Sequence, residues 1–340
     1  MEWKSSLLRN NLVTRILIIR FSSIGDIVLT TSFLRQLKEQ WEGEVELHFL
    51  VKKKFVSVLA HNPRIFKIHS FESSVAECYE ELVETGFDYI FDLQANLRSS
   101  LVKRKLKSLS FTVDKRNFAK YLWVKFGIKG TIGHIVDRYR ATAKLFSIKE
   151  DHVGLEYYLS KDDEVPLPTQ SFVTAVLGAT HLGKRADARH WINWLGEVNQ
   201  MVILLGGESE IELADEIAKH CEVINWTGKL TLGNSAYVIS RSEWVMAGDT
   251  GLMHIAAAFK KNIISLWGCT RPSLGMGPWL PGQKSIAIQP LDRTERPCSK
   301  LGNRCRFGWD NKCMHQINGR QIKEAIAAIE QEHRTAPSAQ

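Results

Sequence analysis

The sequence has no apolar run that approaches the roughly 18–20 residues needed to span a bilayer. The apolar stretch near the N-terminus is short, is closed by Arg20 and has no small-residue cleavage site after it, which is unlike a signal peptide. We therefore expect a strand here and a protein that stays in the cytoplasm.

Two recognition motifs are also missing. No G-x-G-x-x-G follows the first apolar run, which disfavours a nicotinamide-dependent dehydrogenase. No known nucleic-acid-binding module is present, so we expect no nucleic-acid partner, although the formal net charge is +8. That charge fits other anionic partners equally well, such as a phosphorylated substrate or an acidic membrane surface.

The chain has enough apolar residues for two hydrophobic cores. Its 340 residues suffice for two domains of about 150–170 residues each. Hydrophobic residues make up 44% of the chain and charged residues 24%, which is ordinary for a globular protein.

Short apolar runs alternate with segments of helical periodicity along the whole chain, which predicts parallel sheets built from βα units. The predicted strands are 15–21, 45–51, 67–71, 87–94, 172–179, 201–207, 221–228, 243–249 and 262–268. The predicted helices are 26–40, 74–85, 188–199, 208–219, 232–241, 251–259 and 318–333.

The fold class is therefore α/β, with two Rossmann-like, doubly wound domains that face a central cleft. A polar segment with two prolines separates the two halves and is typical of a linker. We predict an N-terminal domain over 1–160, a linker over 161–171, a C-terminal domain over 172–317, and a final helix and tail over 318–340.

A glycine-rich turn, AGDTGLMHIAAAF at 247–259, joins a predicted strand to a helix. Thr250 can cap this helix, and Gly251 lets a ligand approach the N–H groups of the first turn, which suits a diphosphate. The alternative is a capped helix that carries a buried His254 and has no ligand.

Two further turns carry candidate polar groups. In FSSIGDIVLTT, 21–31, Asp26 lies at a helix N-terminus, where it is either a general base or only a cap. In GATHLGKR, 178–185, Thr180 and Lys184 follow a predicted strand. Lys184 supplies a cation suited to an anionic leaving group, or it is merely solvated.

These three turns, together with FDLQANLRSS, LLGGESE and NIISLWGCTRP, cover nearly the whole chain in a consistent order. This pattern resembles the lipopolysaccharide heptosyltransferase family, glycosyltransferase family nine. The resemblance implies a GT-B fold, a nucleotide-diphosphate sugar donor such as ADP-heptose, inversion at the anomeric carbon, and an anionic acceptor such as the lipopolysaccharide core.

The resemblance also implies roles for individual residues. The aspartate that matches Asp26 is the base. The donor-binding positions are Thr180, Lys184, Glu208, Asp249, Thr250, Gly251 and His254, and the acceptor-binding positions are Ser22, Ser23, Gln94 and Arg98. Two matches stay open: Glu210 could replace Glu208 at the ribose, and Arg189 could fill the position of the family lysine, although the spacing from the preceding strand favours Lys184.

No Asp-x-Asp triplet, which holds the divalent metal in many glycosyltransferases, occurs in the chain. A helix N-terminus and Lys184 can stabilise the leaving diphosphate instead. We therefore expect metal-independent transfer without a cofactor. The competing interpretations are a sugar-nucleotide epimerase or hydrolase on the same scaffold and a non-catalytic nucleotide-binding module.

A basic stretch lies in the first half of the chain. Between Lys103 and Arg140 there are 11 Lys and Arg residues against two acids, and aromatic residues are interleaved with them. One interpretation is a solvated helical face. The other is a surface for an anionic glycolipid and for peripheral contact with the inner face of the inner membrane, with an attraction of about 1 kcal/mol per surface cation.

We expect the protein to be a monomer.

Half of the cysteines are scattered and half are clustered. The scattered ones are Cys78, Cys221 and Cys269, as is usual for reduced thiols. The clustered ones, which lie near His315, are Cys298, Cys305 and Cys313. Their spacings of seven and eight residues differ from the C-x-x-C pairs of common zinc sites, which favours a reduced packing cluster over a structural metal or a disulfide.

Overall fold

The computed structural model describes residues 13–179, 181–290, 296–306 and 313–331, with the side chain of Leu182 left aside. The chain divides into two compact units. The first contains residues 1–115 and 136–151, and the second contains residues 116–135 and 152–340.

The elements alternate in the predicted βα order. The described strands are β1 (Thr14–Ile19), β2 (Val45–Lys52), β3 (Ile65–Phe71), β4 (Tyr89–Asp92), β5 (Leu109–Thr112), β6 (Phe172–Val176), β7 (Met201–Leu205), β8 (Val223–Asn225), β9 (Trp244–Gly248), β10 (Asn262–Leu266) and β11 (Ile286–Ile288). The described helices are α1 (Ile24–Val28), α2 (Thr31–Gln40), α3 (Tyr79–Thr85), α4 (Leu97–Leu106), α5 (Asn117–Phe126), α6 (Ile135–Arg140), α7 (Ala188–Leu195), α8 (Ile211–Ala218), α9 (Leu232–Arg241), α10 (Gly251–Ala258) and α11 (Gly319–Glu330).

The first unit is built on a parallel sheet with the strand order β3-β2-β1-β4-β5. Its central strand, β1, is fully buried from Ile16 to Ile19. Continuous apolar runs of this kind occur where both faces of a parallel sheet are covered. The end of β1 therefore lies between the ends of β2 and β4.

The second unit contains a six-stranded parallel sheet with the order β11-β10-β9-β6-β7-β8. Trp194 from α7 and Trp244 from β9 lie in its main hydrophobic cluster, which α11 also joins through Ile322. The strands β6 and β9 are neighbours, so the loops that follow them lie side by side at one sheet edge.

The predicted α/β class with two Rossmann-like sheets is confirmed, but two local predictions were wrong. The single helix predicted over 26–40 is split into α1 and α2. Thr30 and Thr31 lie at the break, and their hydroxyls donate to the carbonyl oxygens of Ile27 and Val28 at 2.7 Å each. Side-chain hydroxyls that bond in this way compete with a regular helix.

The predicted domain boundary also differs from the structure, because the chain joins the second unit at residue 152 and not after a linker at 161–171. Tyr157 packs against Phe259 with ring centroids 5.8 Å apart, and the Asn234 amide donates to the carbonyl oxygen of Asp163 at 3.0 Å. The predicted linker therefore begins inside the second unit.

The basic stretch is divided between the two units, since residues 116–135, which include α5, belong to the second one. The Arg296 guanidinium donates to the carbonyl oxygen of Val124 at 3.0 and 3.1 Å, and Arg306 donates to the same oxygen at 2.9 Å. These contacts fix the last turn of α5 to the second unit. Among the described residues, no helix is both long and apolar enough to cross a membrane.

Candidate functional site

The end of β1 presents Asp26 in the first turn of α1. Its Oδ2 accepts hydrogen bonds from the backbone N–H and the hydroxyl of Ser23, at 3.2 and 2.9 Å. Its Oδ1 lies 2.7 Å from Nη2 of Arg20. Asp26 therefore does act on the helix cap, as one of the two sequence-based interpretations required, but it also belongs to an ion pair.

Arg20, for which the sequence predicted no role beyond closing an apolar run, holds Asp26 in place. Its guanidinium also donates to the carbonyl oxygens of Ser22 and Leu93, each at 2.8 Å. Its side chain is only 9% exposed, whereas the Asp26 side chain is 22% exposed. An arginine with so many fixed acceptors has one available orientation.

The charge state of Asp26 follows from these neighbours. Burial alone would raise its pKa, but the charge of Arg20 and the hydrogen bonds from Ser23 outweigh burial, so the pKa of Asp26 lies below its ordinary value. Tyr139 interacts electrostatically with the same pair, and burial raises the pKa of Tyr139 to about 12. Asp26 is therefore ionised and Tyr139 is neutral at neutral pH.

The acceptor-binding candidates are only partly brought together. Ser22 is half-buried and Ser23 exposed at the end of β1. Gln94 follows the neighbouring strand β4, and its Oε1 accepts from the backbone N–H of Phe21 at 3.0 Å. Arg98 is exposed in the first turn of α4. Ser22, Ser23, Gln94 and Asp26 thus share one edge of the first sheet.

At the corresponding edge of the second sheet, Lys184 and Asp249 form a close ion pair. Lys184 follows β6 and Asp249 follows β9, and Nζ lies 2.6 Å from Oδ2. Thr270 donates its hydroxyl to the same Oδ2 at 3.0 Å. The two side chains are 15% and 12% exposed, so the pair is accessible to a ligand.

The first turn of α10 lies directly after Asp249. Thr250 occupies the N-cap position in an extended conformation, but the predicted cap by its hydroxyl is wrong, because its side chain accepts no capping hydrogen bond. The N–H groups that begin α10 at Gly251 are not capped by Thr250, which is the arrangement that helix N-termini use to bind phosphate. His254 is only 2% exposed, as expected for a packed core histidine.

Glu208 and Glu210 differ sharply in their surroundings. Glu210 is buried and accepts from the Gly207 N–H at 3.0 Å, and its other oxygen lies 3.5 Å from Arg185. Glu208 is exposed after the end of β7. Glu210 therefore holds its own loop, and Glu208 is the more accessible of the two carboxylates.

The two candidates for the family lysine, Lys184 and Arg189, lie in different surroundings. Arg189 lies on α7 with a side chain that is 84% exposed and pairs at 3.5 Å with Asp187. Lys184 contacts Asp249 instead. The geometry favours Lys184 at the donor site. Thr180, another predicted donor ligand, lies outside the described residues.

Several cations of the basic stretch are paired or buried. Lys103 lies 2.9 Å from the buried Asp92, and Lys120 is itself buried. Arg138 is buried and Arg140 pairs with Asp137 at 2.7 Å. These cations therefore stabilise the fold.

What remains exposed on α5 is largely aromatic and apolar. Phe118 is 73%, Tyr121 53% and Phe126 57% exposed, and Ile128, just after the helix, is 59% exposed. Lys125 is exposed on the same helix. The aromatic residues noted in the sequence are thus more accessible than several of its cations.

The cysteine cluster includes Cys269, which was predicted to be one of the scattered cysteines. Cys269, three residues after the end of β10, lies with Cys298 and Cys305. His315, in contrast, lies 2.9 Å from the ring nitrogen of His190 and does not belong to the three-cysteine group. Residues far apart along the chain carry no spacing signal, so Cys269 could not be assigned from sequence.

Comparison with known proteins identifies this architecture. The family model described as glycosyltransferase family 9 (heptosyltransferase) matches residues 75–306. Lipopolysaccharide heptosyltransferase 1 of Escherichia coli strain K12 is 23% identical over 286 residues, which cover 76% of this chain and 89% of that protein.

Solved structures show the same fold. A glycosyl transferase family 9 structure from Veillonella parvula has a TM-score of 0.76 at 19% identity, over 94% of this chain and 98% of that one. The E. coli heptosyltransferase WaaC with ADP has a TM-score of 0.68 at 19% identity, over 93% and 100% of the two chains. The resemblance found in the sequence is confirmed: this chain has the GT-B fold and is a glycosyltransferase that belongs to glycosyltransferase family 9, the heptosyltransferase family.

Proposed function

We propose that this glycosyltransferase moves heptose from ADP-heptose to a sugar of the lipopolysaccharide core, with inversion at the anomeric carbon. The observation that carries the proposal is the Lys184–Asp249 pair beside the start of α10. A cation and a helix N-terminus lie side by side there, and both can bind the diphosphate of a donor. Two of the relatives named above are heptosyltransferases, and one of these was solved with ADP.

The donor binds to the second unit. Its diphosphate accepts hydrogen bonds from the Lys184 ammonium group and from the backbone N–H groups of Thr250 and Gly251. Asp249 then loses its contact with Lys184, keeps the hydrogen bond from Thr270 at 3.0 Å, and accepts hydrogen bonds from the sugar hydroxyls. Glu208, exposed after β7, accepts from the ribose hydroxyls.

The acceptor binds to the first unit, near Ser22, Ser23 and Gln94. A sugar hydroxyl attacks the anomeric carbon, and its proton passes to the Asp26 carboxylate. The bond between that carbon and the diphosphate oxygen breaks, and its electron pair leaves with ADP. A single displacement of this kind inverts the anomeric configuration.

Transfer is metal-independent in this scheme. Negative charge grows on the departing diphosphate, and fixed positive groups at that place lower the barrier. Lys184 and the first turn of α10 supply such groups, and the chain has no Asp-x-Asp triplet. In buffer freed of divalent cations, the transfer rate should match the rate with Mg²⁺ or Mn²⁺, and a requirement for either ion would overturn this step.

The enzyme works as a monomer in the cytoplasm, at the inner face of the inner membrane, where a lipid-anchored acceptor is accessible. The exposed side chains of Phe118, Tyr121 and Phe126 on α5, with Lys125, suit contact with an anionic membrane surface.

A transfer assay with a panel of donors tests the proposed function. The purified protein is incubated with ADP-heptose or other nucleotide sugars and with heptose-deficient core lipid, and the product is followed by mass and by released ADP. We expect a one-heptose mass increase that depends on the acceptor. Nucleotide release without an acceptor would favour the hydrolase alternative, and binding without turnover of any donor would favour a non-catalytic module.

A further inference from the structure

Four of the six cysteines in the chain converge at one place in the second unit. The Sγ atoms of Cys269, Cys298 and Cys305 all lie within 4.8 Å of one another. Cys313 extends this group through Cys269, since their Sγ atoms are 3.9 Å apart, but it is not within 4.8 Å of all three sulfurs. The remaining two, Cys78 and Cys221, lie elsewhere and belong to no such group among the described residues.

The spacing of the sulfur atoms is informative. A disulfide requires about 2.05 Å between sulfurs, and none of the six cysteines forms one in the structure. A tetrahedral ion with metal–sulfur bonds of about 2.3 Å places its sulfurs about 3.8 Å apart. The distance of 3.9 Å between Cys269 and Cys313 matches that tetrahedron edge.

We propose that Cys269, Cys298, Cys305 and Cys313 bind one transition-metal ion, with zinc favoured, in a closed tetrathiolate site that stabilises the fold. Four thiolates leave no open position for a substrate, which is the pattern of structural zinc sites. Soft sulfur ligands also exclude Mg²⁺ and Ca²⁺, which prefer oxygen.

The backbone around the site is built to hold the sulfurs together. The N–H of Cys298 donates to the carbonyl oxygen of Cys269 at 2.9 Å, and the N–H of Cys269 donates to the carbonyl oxygen of Gly183 at 3.1 Å. The N–H of Gly183 donates in turn to the carbonyl oxygen of Gly302 at 3.1 Å. A Cβ atom at Gly183 would approach this Gly302 oxygen to 2.6 Å and the Cys269 sulfur to 3.0 Å, so only glycine fits.

Charge and secondary structure support the same conclusion. The segment 296–306 has four Lys or Arg residues and no acidic residue, which complements the net charge of about −2 on a zinc tetrathiolate. It forms no helix or longer strand among its described residues. A segment with so little regular structure gains order from a metal staple.

The site connects two functional parts of the second unit. On one side it fixes Gly183, which directly precedes Lys184, and the Gly302 position packs against the Lys184 side chain. On the other side, Arg296 and Arg306 of the same segment donate to the carbonyl oxygen of Val124 in α5. Occupancy of the metal site should therefore position both the donor lysine and α5.

Metal analysis of the purified full-length protein tests the proposal without any transfer assay. We expect about one equivalent of zinc or iron per chain by inductively coupled plasma mass spectrometry. Cys298→Ser and Cys305→Ser should each lose most of the metal and lower Tm. The matched controls Cys78→Ser and Cys221→Ser should retain it.

A labelling experiment covers the case in which the serine variants fail to fold. Native wild-type protein is alkylated before and after its metal is removed by a chelator, and the labelled cysteines are identified by mass. We expect Cys298 and Cys305 to become labelled at least tenfold faster after removal. Metal-free native protein, equal labelling rates, or a disulfide among these cysteines would overturn the proposal. None of these outcomes bears on whether the donor is ADP-heptose, so the two proposals can fail independently.

Discussion

The two units present the same kind of pair at the carboxyl ends of their central strands. In the first unit, Arg20 and Asp26 are 2.7 Å apart after β1. In the second unit, Lys184 and Asp249 are 2.6 Å apart after β6 and β9. In open α/β sheets, ligands bind at such strand ends.

The cations of the two pairs differ in their freedom. Arg20 also donates to two main-chain carbonyl oxygens, so it is fixed whether or not a ligand is present. Lys184 has a flexible stem and a compact ammonium group, and Asp249 keeps Thr270 as a second partner. The first pair is therefore suited to holding a base ionised, and the second is suited to exchanging its carboxylate for a diphosphate.

Replacing the carboxylate of the fixed pair should have the largest effect. Asp26→Asn should lower kcat by about 10²–10⁴, because the acceptor hydroxyl loses its general base. Breaking a largely buried ion pair should also cost about 3 kcal/mol of unfolding free energy. Turnover is therefore measured below the Tm of the variant.

A matched control separates catalysis from capping. Asp163 accepts from the N–H and hydroxyl of Ser160 at 2.7 and 3.1 Å, as Asp26 does from Ser23, but has no ion pair among the described residues. Asp163→Asn should leave kcat unchanged, since Asn also caps well. Near-normal turnover of Asp26→Asn would remove Asp26 from catalysis.

Removing the cation of the exchangeable pair should have the next largest effect. Lys184→Met should weaken ADP binding by about 10–100-fold, the effect of losing one charge-assisted hydrogen bond to phosphate. Arg189→Met is the control, because that side chain is 84% exposed on α7. Isothermal titration of ADP compares the two, and a loss confined to Arg189→Met would exchange their roles.

The pH dependence of turnover tests whether Arg20 keeps Asp26 ionised. The lowered pKa of Asp26 keeps the base ionised, so wild-type kcat should stay flat from neutral pH down to about pH 5. In Arg20→Met, burial is no longer opposed by the guanidinium and raises the pKa of Asp26. The pH below which kcat falls should therefore be closer to neutral in Arg20→Met than in the wild type.

The same shift has a consequence for stability. Because the folded-state pKa of Asp26 is lowered, its contribution to stability is complete above its unfolded pKa of about 3.9 and is lost as pH falls through the folded pKa. Arg20→Met should remove this contribution. Superimposable kcat profiles for wild type and Arg20→Met would contradict the role assigned to Arg20.

The smallest predicted effect concerns the proposed membrane contact of α5, a helix that belongs to the second unit. Phe118→Ser combined with Phe126→Ser should reduce sedimentation with anionic vesicles several-fold and leave ADP affinity unchanged. Phe66→Ser is the control, because Phe66 is similarly exposed, at 64%, but lies in the first unit. Equal losses for the two changes would show that α5 has no special role.

Much of this arrangement could be predicted from sequence, for a physical reason. Buried parallel strands appear as continuous apolar runs, and the glycine-rich turns that follow them mark where ligands bind. Asp26, Lys184 and Asp249 were found in this way. The partners Arg20 and Thr270 were missed, because nothing in a local pattern shows which distant group a side chain contacts.

The boundaries between the units were also beyond the sequence. Residues 116–135 interrupt the first unit along the chain, but α5 is fixed by Arg296 and Arg306, which follow about 170–180 positions later. No helix was predicted at 117–126, and a local pattern does not show the surface to which a helix docks. For the same reason, the sequence did not show that Cys269 lies with the other three cysteines of its cluster.

A crystal structure of the enzyme with ADP tests the central contrast most directly. We predict that Lys184 Nζ leaves Asp249 and lies about 2.8 Å from a phosphate oxygen, while the Arg20–Asp26 distance stays at 2.7 Å. An ADP diphosphate bound away from Lys184, with the Lys184–Asp249 pair intact at 2.6 Å, would contradict the account.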